Sequence, residues 1–416
     1  MKKLVVQKFG GSSVATAEKI MNIAKRIAQE EKKGNNLVVV VSAMGKTTDS
    51  LVQLANEVNP HPSKREMDML LSTGEQISIA LLAMALHRLK VNAVSLTGMQ
   101  VGIQTDSAHT KAKILHIKTN KIFDLLRKNH IVIVAGFQGV DKNLNITTLG
   151  RGGSDTTAVA LAAALKADTC EIYTDVEGVY TADPRMVPES RKLDIITYDE
   201  MLEMASLGAK VLHSRSVVIA KKYNTKLVVK TSFYNIPGTI IVKEYKNMED
   251  LLITGVTSKM DEAKITICGV PDTPGIAAKI FKALAEEDIN VNMIVQSASR
   301  KGINDISFTI SQSDIKDANN ILQNLMKDVK AKDLNFDKNI GVVSIVGMGM
   351  ASHPGIAQKM FETLGKHGVN IQMISTSEIK ISCVIERSKV KMAMQKLHQS
   401  FGLDKVGKKI LKGIKK

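Results

Sequence analysis

The segment "KITICGVPDTPGIAAKIFKALAEEDINVNMIVQS", starting at Lys264, aligns without gaps with "SIVGMGMASHPGIAQKMFETLGKHGVNIQMISTS", starting at Ser344, an offset of 80 residues. Pro274-Gly275-Ile276-Ala277 matches Pro354-Gly355-Ile356-Ala357, and Lys279, Phe281 and Asn290 match Lys359, Phe361 and Asn370. Met293-Ile294 likewise matches Met373-Ile374. Identity at one fixed spacing marks a duplicated structural unit. Each copy reads as a strand, a Pro-Gly turn, an amphipathic helix and a second strand, followed by further strand-like pieces. A βαββαβ module of roughly 70 to 80 residues accounts for each copy. We assign the modules to 260–338 and 339–406, with a basic tail over 407–416.

The preceding part has another texture. Residues 4 to 230 alternate "LVVQKF", "TAEKIMNIAKRIAQEEKK", "NNLVVVVSAM" and a helical stretch through "EQISIALLAMALHRL". "HIVIVAGF" and "TCEIYTDV" follow, separated by "DTTAVALAAALKA". Apolar β-branched runs between helical periods predict an α/β domain over 1–245, its mainly parallel sheet sandwiched by helices. Ligands of such sheets bind beyond the carboxyl ends of the strands.

Composition narrows the class. The 44% apolar content and 8 prolines in 416 residues fit packed globular domains. No uninterrupted apolar run approaches the roughly 18 residues of a membrane span, and the N-terminus enters a strand instead of a secretory apolar segment, so neither membrane nor export is expected. Cys170, Cys268 and Cys383 are scattered without metal-ligand spacing, which suits a reducing cytoplasm. The net charge of +16 invites a nucleic-acid reading, but aromatics are 4%, Trp is absent and the lysines form no single stripe. The cluster "KVGKKILKGIKK" reads as a solvated tail.

Two glycine-rich turns carry the chemistry. In "VVQKFGGSSVATAEKI" Lys8 ends a strand, and Gly10, Gly11, Ser12 and Ser13 precede a helix. Backbone N–H groups, a helix N-terminus and one lysine make an anion site, with the serines available as caps. In "TTLGRGGSDTTAVALAAAL" Gly152, Gly153 and Ser154 again precede a helix, flanked by Arg151 and Asp155. Ser154 or Asp155 can be a mere cap, whereas the planar fork of Arg151 suits a carboxylate or phosphate. Two such turns suit a reaction between a polyphosphate and an anionic acceptor.

Two look-alikes fail. "VSAMGKTTD" lacks the first glycine of a P-loop, since Val40 stands there, and "GMGMAS" puts Ser352 where a dinucleotide fingerprint needs its third glycine. Ser42, Thr47 and Thr48 remain a polar loop after an apolar strand. Glu75, in "STGEQIS", serves either the helix dipole or a substrate ammonium. "EIYTDVEGVYTADPR" carries Thr174, Asp175, Tyr180, Asp183 and Arg185 on a loop that can hold a nucleotide or be an ordinary turn. His61, His87, His109 and His213 show no partner pattern and are assigned to surface or core.

"KFGGSS", "SAMGKTTD", "STGEQIS", "GRGGSDTTA", "TDVEGVYTADPR" and "MLEMASLGAKVLH", in this order and followed by the tandem "PGIA" repeat, resemble the aspartokinases of the amino-acid kinase superfamily over nearly the whole chain. The resemblance implies transfer of the ATP γ-phosphoryl to the side-chain carboxylate of L-aspartate, giving 4-phospho-L-aspartate and opening lysine, threonine, methionine and diaminopimelate synthesis. It implies that Lys8 neutralises the moving phosphoryl group, with Asp155 organising the lysine. Phe9, Gly10, Gly11, Ser12 and Ser42 would line the phosphates, and Thr174, Asp175, Tyr180, Asp183, Arg185, Lys210 and Val211 the rest of the nucleotide. Thr48, Glu75, Arg151, Gly152, Gly153 and Ser154 would hold aspartate. A carboxylate is already an ionised nucleophile, so no base is needed, and Mg²⁺ would ride on ATP without protein ligands of its own.

The repeats would be paired ACT modules forming a homodimer, or an α2β2 assembly if Met248 or Met260 starts a second chain. They would bind lysine and/or threonine near Asn292, Met293, Ile294 and Gln296, and near Ile374, Ser375, Glu378 and Ser382. By the same resemblance the second module takes in the strand at 250–257. Asn292 and Ser297 stand where many relatives have Asp and Asn, which alters the charge offered to an effector, while "GSS" for "GTS" is conservative. The rival readings are another acceptor within the superfamily, which Glu75 opposes if the amine is acetylated, and an amino-acid sensor with a relic kinase half.

Overall fold

The computed structural model describes residues 2–208, 211–244, 252–299, 302–350 and 353–405. By its contacts the chain divides into two units: Met1–Val179, Lys192–Ser206 and Lys210–Tyr245 form the first, and Tyr180–Arg191, Leu207–Ala209 and Lys246–Lys416 the second.

The first unit begins with β1 (Leu4–Phe9), α1 (Ala17–Lys32), β2 (Asn36–Val41), α2 (Thr47–Val58), α3 (Lys64–Leu71) and α4 (Thr73–Arg88). It continues through β3 (Ala93–Leu96), α5 (Gly98–Val101), β4 (Ile103–Thr105), β5 (Ile114–Ile117), α6 (Asn120–Arg127), β6 (Ile131–Ala135), β7 (Gln138–Val140) and β8 (Ile146–Thr148). Then come α7 (Gly153–Leu165), β9 (Thr169–Thr174), β10 (Ile195–Thr197), α8 (Tyr198–Ser206), α9 (Ser214–Tyr223), β11 (Leu227–Thr231) and β12 (Thr239–Val242). The main sheet has the order β10-β12-β11-β9-β1-β2-β6-β3. Pairing is parallel from β11 to β3, whereas β12 runs antiparallel to β11. A smaller sheet, β5-β4-β7-β8, has too few residues per strand to show a periodicity in the sequence.

Burial explains the order. β2 and β6, "NLVVVV" and "IVIVA", are sealed almost completely, as central parallel strands must be. On one face Ile20, Ile23 and Ile27 of α1 and Leu82 and Leu86 of α4 pack against Phe9, Val39, Val41 and Ile133. On the face bearing Lys8 lies α7, whose Ala, Thr and Gly side chains are nearly all buried and let its backbone approach β1, β2 and β9. The run Lys64–Arg88, interrupted only at Ser72, is long and apolar enough to cross a bilayer by length and composition. Its buried residues, Leu71, Ile79, Leu82, Ala83 and Leu86, face the core of the unit.

The second unit contains β13 (Gly255–Lys259), β14 (Glu262–Pro271), α10 (Ile276–Glu286), β15 (Val291–Gln296), β16 (Ile303–Ser311), α11 (Ile315–Leu325) and β17 (Asp333–Asp337). The remainder is β18 (Ile340–Val346), α12 (Ile356–Lys366), β19 (Ile371–Thr376), β20 (Lys380–Glu386) and α13 (Val390–Ser400). The first antiparallel sheet, β15-β16-β14-β17, uses four consecutive strands. The second, β13-β18-β20-β19, has as its edge a strand that precedes the first module in the chain. Gly275 and Gly355 cap α10 and α12 at φ 93° and 98°, a left-handed conformation that favours glycine and makes the two Pro-Gly turns superimposable in kind.

Candidate active site

The adjacent parallel strands β9, β1, β2 and β6 end on the same side of the main sheet. After Phe9 the backbone is laced to the neighbouring loops: Gly10 N–H donates to Tyr173 O at 3.4 Å, Ser42 N–H to Phe9 O at 3.1 Å, and Gly45 N–H to Gly11 O at 3.0 Å. A Cβ on Gly11 would meet Ala43 O at 2.8 Å, so only glycine permits this approach. A Cβ on Gly10 would stand 3.4 Å from Lys8 Nζ, in space left beside the ammonium group. Lys8 Nζ lies 2.6 Å from Asp155 Oδ1, with both side chains about nine-tenths buried. A short 3-10 turn, Gly11–Val14, separates the glycines from α1, whose cap is Thr16, accepting from Lys19 N–H. Ser12 and Ser13 therefore do not cap the helix, contrary to expectation. Ser12 is exposed, and Ser13 donates to Ser232 Oγ at 2.8 Å. Cys170 adjoins the pair but burial, with the Asp155 and Glu171 charges behind it, drives its thiol far above the ordinary range, so it is no nucleophile.

The second turn is built differently. Gly150 and Gly152 adopt φ 75° and 71°, Gly153 N–H donates to Gly150 O at 2.9 Å, and Gly152 is the cap of α7. Ser154 and Asp155 thus sit inside the first helical turn and not at the cap. Arg151 is exposed at the tip, beside a cleft of about 650 Å³ lined also by Asp49, Gln53, Asn56 and Glu57. Side chains hold the turn from behind. Arg215 donates from Nη1 to Leu149 O at 2.8 Å and from Nη2 to Ala112 O at 2.7 Å. Fully buried Asp68 accepts from His109 Nδ1 at 2.7 Å, from Thr110 N–H and from Thr148 Oγ1. His213 packs so closely that a Cβ on Gly152 would fall 2.3 Å from its Cγ. Burial, opposed by Asp155 and reinforced by Arg215 and Arg151, lowers the His213 imidazole and keeps it neutral. His109 and His213 are thus tied to the functional turn. Their partners, Asp68 and Gly152, are 41 and 61 residues away in sequence, and no local pattern shows such pairs.

Glu75, in the first turn of α4, is 3% exposed. Its Oε1 accepts from Ala43 N–H at 3.1 Å, while Oε2 is buried without a hydrogen-bond partner among the described residues. Burial raises its carboxyl to about 7, against the lowering effect of the Ala43 N–H. A buried orphan oxygen on a proton-hungry carboxylate fits an incoming ammonium. Thr48 lies half-buried in the first turn of α2, across the same β2 loop as Ser42.

At the end of β9, Thr174 Oγ1 donates to Asp175 Oδ1 at 2.9 Å, and Thr174 O accepts from Ser232 N–H at 3.0 Å. Val211 is half-buried in the turn before α9, and Lys210 lies outside the described residues. Tyr180, Asp183 and Arg185 belong by contacts to the second unit. There Arg185 clasps Asp183 through Nε and Nη2 at 2.7–3.2 Å, which pulls the Asp183 carboxyl below its ordinary value.

Of the regulatory positions, Asn292, Ile294 and Gln296 are exposed on β15, and Ile374 and Glu378 on and after β19. Ser375 is half-buried. Asn292 Nδ2 donates to Glu262 Oε1 at 2.7 Å. Met293 and Met373 are buried together with Ile340, Val342 and Val384. Ser382 is buried, its hydroxyl 2.7 Å from that of Ser344.

Residues 3–231 match the model of the amino acid kinase family, and residues 265–325 and 343–401 match an ACT domain. The aspartokinase of Pseudomonas aeruginosa is 54% identical over 403 residues, covering 96% of this chain and 98% of that protein. The fold is shared with E. coli aspartokinase III solved with aspartate and ADP, at 24% identity and a TM-score of 0.81, over 96% of this chain and 99% of that one. The same E. coli enzyme solved with lysine and aspartate gives 25% identity and a TM-score of 0.73, over the same shares. A lysine-marked glycine turn and an arginine-marked glycine turn, ahead of two ACT modules, thus accompany a full-length match: the chain belongs to the aspartokinases and is an ATP-dependent kinase acting on aspartate.

Proposed function

We propose that the enzyme moves the ATP γ-phosphoryl onto the side-chain carboxylate of L-aspartate, releasing 4-phospho-L-aspartate and ADP. The observation that carries this is Glu75: one oxygen is committed to Ala43 N–H and the other is buried and unpartnered among the described residues. An α-ammonium meets it with charge as well as a hydrogen bond, whereas an acetylated amine offers a single neutral N–H. Lys8, held by Asp155 beside the gap at Gly10, neutralises phosphoryl charge, and Arg151 with the Gly152–Ser154 backbone takes the α-carboxylate. Thr48 completes the aspartate side. Phe9, Gly11, Ser12 and Ser42 bound the phosphates, and Thr174, Asp175, Tyr180, Asp183, Arg185, Lys210 and Val211 the nucleoside, with Mg²⁺ carried by the ATP oxygens. The chain's contribution is orientation and charge neutralisation, since the acceptor needs no deprotonation.

The product opens lysine, threonine, methionine and diaminopimelate synthesis in the cytoplasm, under feedback by lysine and/or threonine bound at the ACT modules. The lysine complex of the E. coli relative supports the first of these effectors. Pairing of modules makes a homodimer, or an α2β2 form if a second chain starts internally. A start at Met260 would omit β13 and with it the edge of the second sheet, whereas one at Met248 would keep it. The test is ADP release with L-aspartate, L-glutamate and N-acetylglutamate, with the acyl phosphate trapped by hydroxylamine, titrated with lysine, threonine, methionine and the first two together. Turnover with aspartate alone supports the reading, and equal turnover with glutamate overturns it.

A further inference from the structure

The segment Tyr180–Arg191 is wired into the second regulatory module. Ala182 and Val187 are buried in the same apolar core as Val343, Ile345, Met360, Met394 and Leu397. Thr181 closes the segment on itself: its N–H donates to Arg191 O at 2.8 Å, and its Oγ1 accepts from Arg191 N–H at 2.9 Å. The Thr181 carbonyl accepts from Val256 N–H of β13 at 2.7 Å. Two further bonds reach the α13 region, Gln395 Nε2 to Met186 O and Arg191 Nε to Leu403 O.

At the centre is His398 of α13. It is 1% exposed, and its Nε2 lies 2.9 Å from Thr181 Oγ1. That oxygen also accepts from Arg191 N–H, so one hydroxyl joins both ends of the segment to His398. Burial, with Arg191 nearby and against the opposing charges of Asp404 and Glu189, lowers the imidazole and favours its neutral form. A buried polar pair in an otherwise apolar core costs free energy unless its geometry is kept, so it fixes the segment in one register.

We propose that His398 is a positioning residue for nucleotide binding: through Thr181 it holds the Tyr180–Arg185 stretch in register from inside the second ACT module. The proposal rests on the reading that Tyr180, Asp183 and Arg185 contact ATP. Its consequence is that substitutions at this contact alter nucleotide affinity and leave aspartate binding alone.

The full-length enzyme tests it by ADP calorimetry without aspartate and by KM values for both substrates. His398→Ala and the nearly isosteric Thr181→Val weaken ADP and raise the KM for ATP by about tenfold, the scale of one buried hydrogen bond. The KM for aspartate, read at saturating ATP, moves less than twofold. His398→Gln, which keeps an acceptor near the Nε2 position, and Thr181→Ser restore ADP affinity, and the double variant His398→Ala/Thr181→Val is no worse than either single one. If His398→Ala does not fold, Thr181→Val decides alone. Unchanged ADP affinity in a folded Thr181→Val, or equal weakening of both substrates, overturns the proposal. Asp183→Ala and Arg185→Ala separate the failures: if they too leave ADP affinity unchanged, the nucleotide reading itself falls, and if they weaken ADP while Thr181→Val does not, only the positioning role falls.

Discussion

The two glycine turns carry one cation each and differ in construction. At the Lys8 turn the backbone is held mainly by backbone, through Gly10, Gly11, Ser42 and Gly45, with Lys19 Nζ on Ser12 O, and one buried charged pair, Lys8–Asp155, lies beside it. At the Arg151 turn the backbone is held by side chains, Arg215, Asp68 and His213, drawn from distant segments. Backbone lacing concentrates sensitivity to substitution on Gly11, where a Cβ would meet Ala43 O, and on the Lys8–Asp155 pair. Side-chain bracing spreads sensitivity over residues that never meet the substrate.

The largest effect falls on the one charge of the first turn. Lys8→Ala lowers kcat by about 10³-fold, since Lys8 is the cation buried against Asp155 beside Gly10, whereas Lys19 Nζ is spent on Ser12 O. Single-turnover measurement at saturating ATP reads it, and a loss below tenfold would move the catalytic charge elsewhere. Next comes Gly152→Ala, which places a Cβ 2.3 Å from His213 Cγ on a backbone at φ 71°. Loss of kcat/KM for aspartate by about 100-fold is expected from the displaced turn. Adding His213→Ala removes the clash but not the left-handed strain, so recovery is partial. Full recovery would show that the backbone conformation of the turn is unimportant.

Glu75→Gln divides function from stability. The KM for aspartate rises about 30-fold, the scale of one charge-assisted hydrogen bond. In the unliganded protein the carboxyl is raised from 4.5 to about 7, so the folded state disfavours its ionised form. The stability tied to its protonated form is complete below the ordinary value and is lost as pH climbs through about 7. Glutamine never ionises, so the variant gains stability above pH 7, up to about 3 kcal/mol at pH 8 to 9, and none at pH 4. Urea melts of both proteins across that range read the difference. The native enzyme's KM for aspartate rises below pH 7, by up to about tenfold per pH unit, as Glu75 takes up its proton.

Much of this contrast was legible in the chain. Lys8 and Gly10 announce themselves because strand, cation and glycine are consecutive, and the 80-residue repeat fixed the module architecture before any coordinate was known. What stayed hidden is whatever depends on long-range pairing. Arg215 reaches Leu149 across 66 residues, Asp68 reaches Thr148 across 80, and His398 reaches Thr181 across 217. The sheet β5-β4-β7-β8, which carries Thr148 up to the Arg151 turn, has strands of three or four residues, too short for alternation to register. The serine caps were misjudged for a local reason: the 3-10 turn at Gly11–Val14 consumes the residues that a directly following helix would have used.

The smallest expected effect is the sharpest test of side-chain bracing. Arg215 spans two carbonyls, Leu149 O and Ala112 O, with a planar fork half-buried at the base of α9. Lysine keeps the charge but reaches one carbonyl at a time, which costs about 1 kcal/mol of orientation at the Arg151 turn. Arg215→Lys therefore raises the KM for aspartate about fivefold, while the KM for ATP stays within twofold, because the two carbonyls that Arg215 holds, Leu149 O and Ala112 O, lie on the Arg151 side and not on the Lys8 turn. Equal rises in both would mean that the two turns move as one body and that their separate construction has no functional consequence.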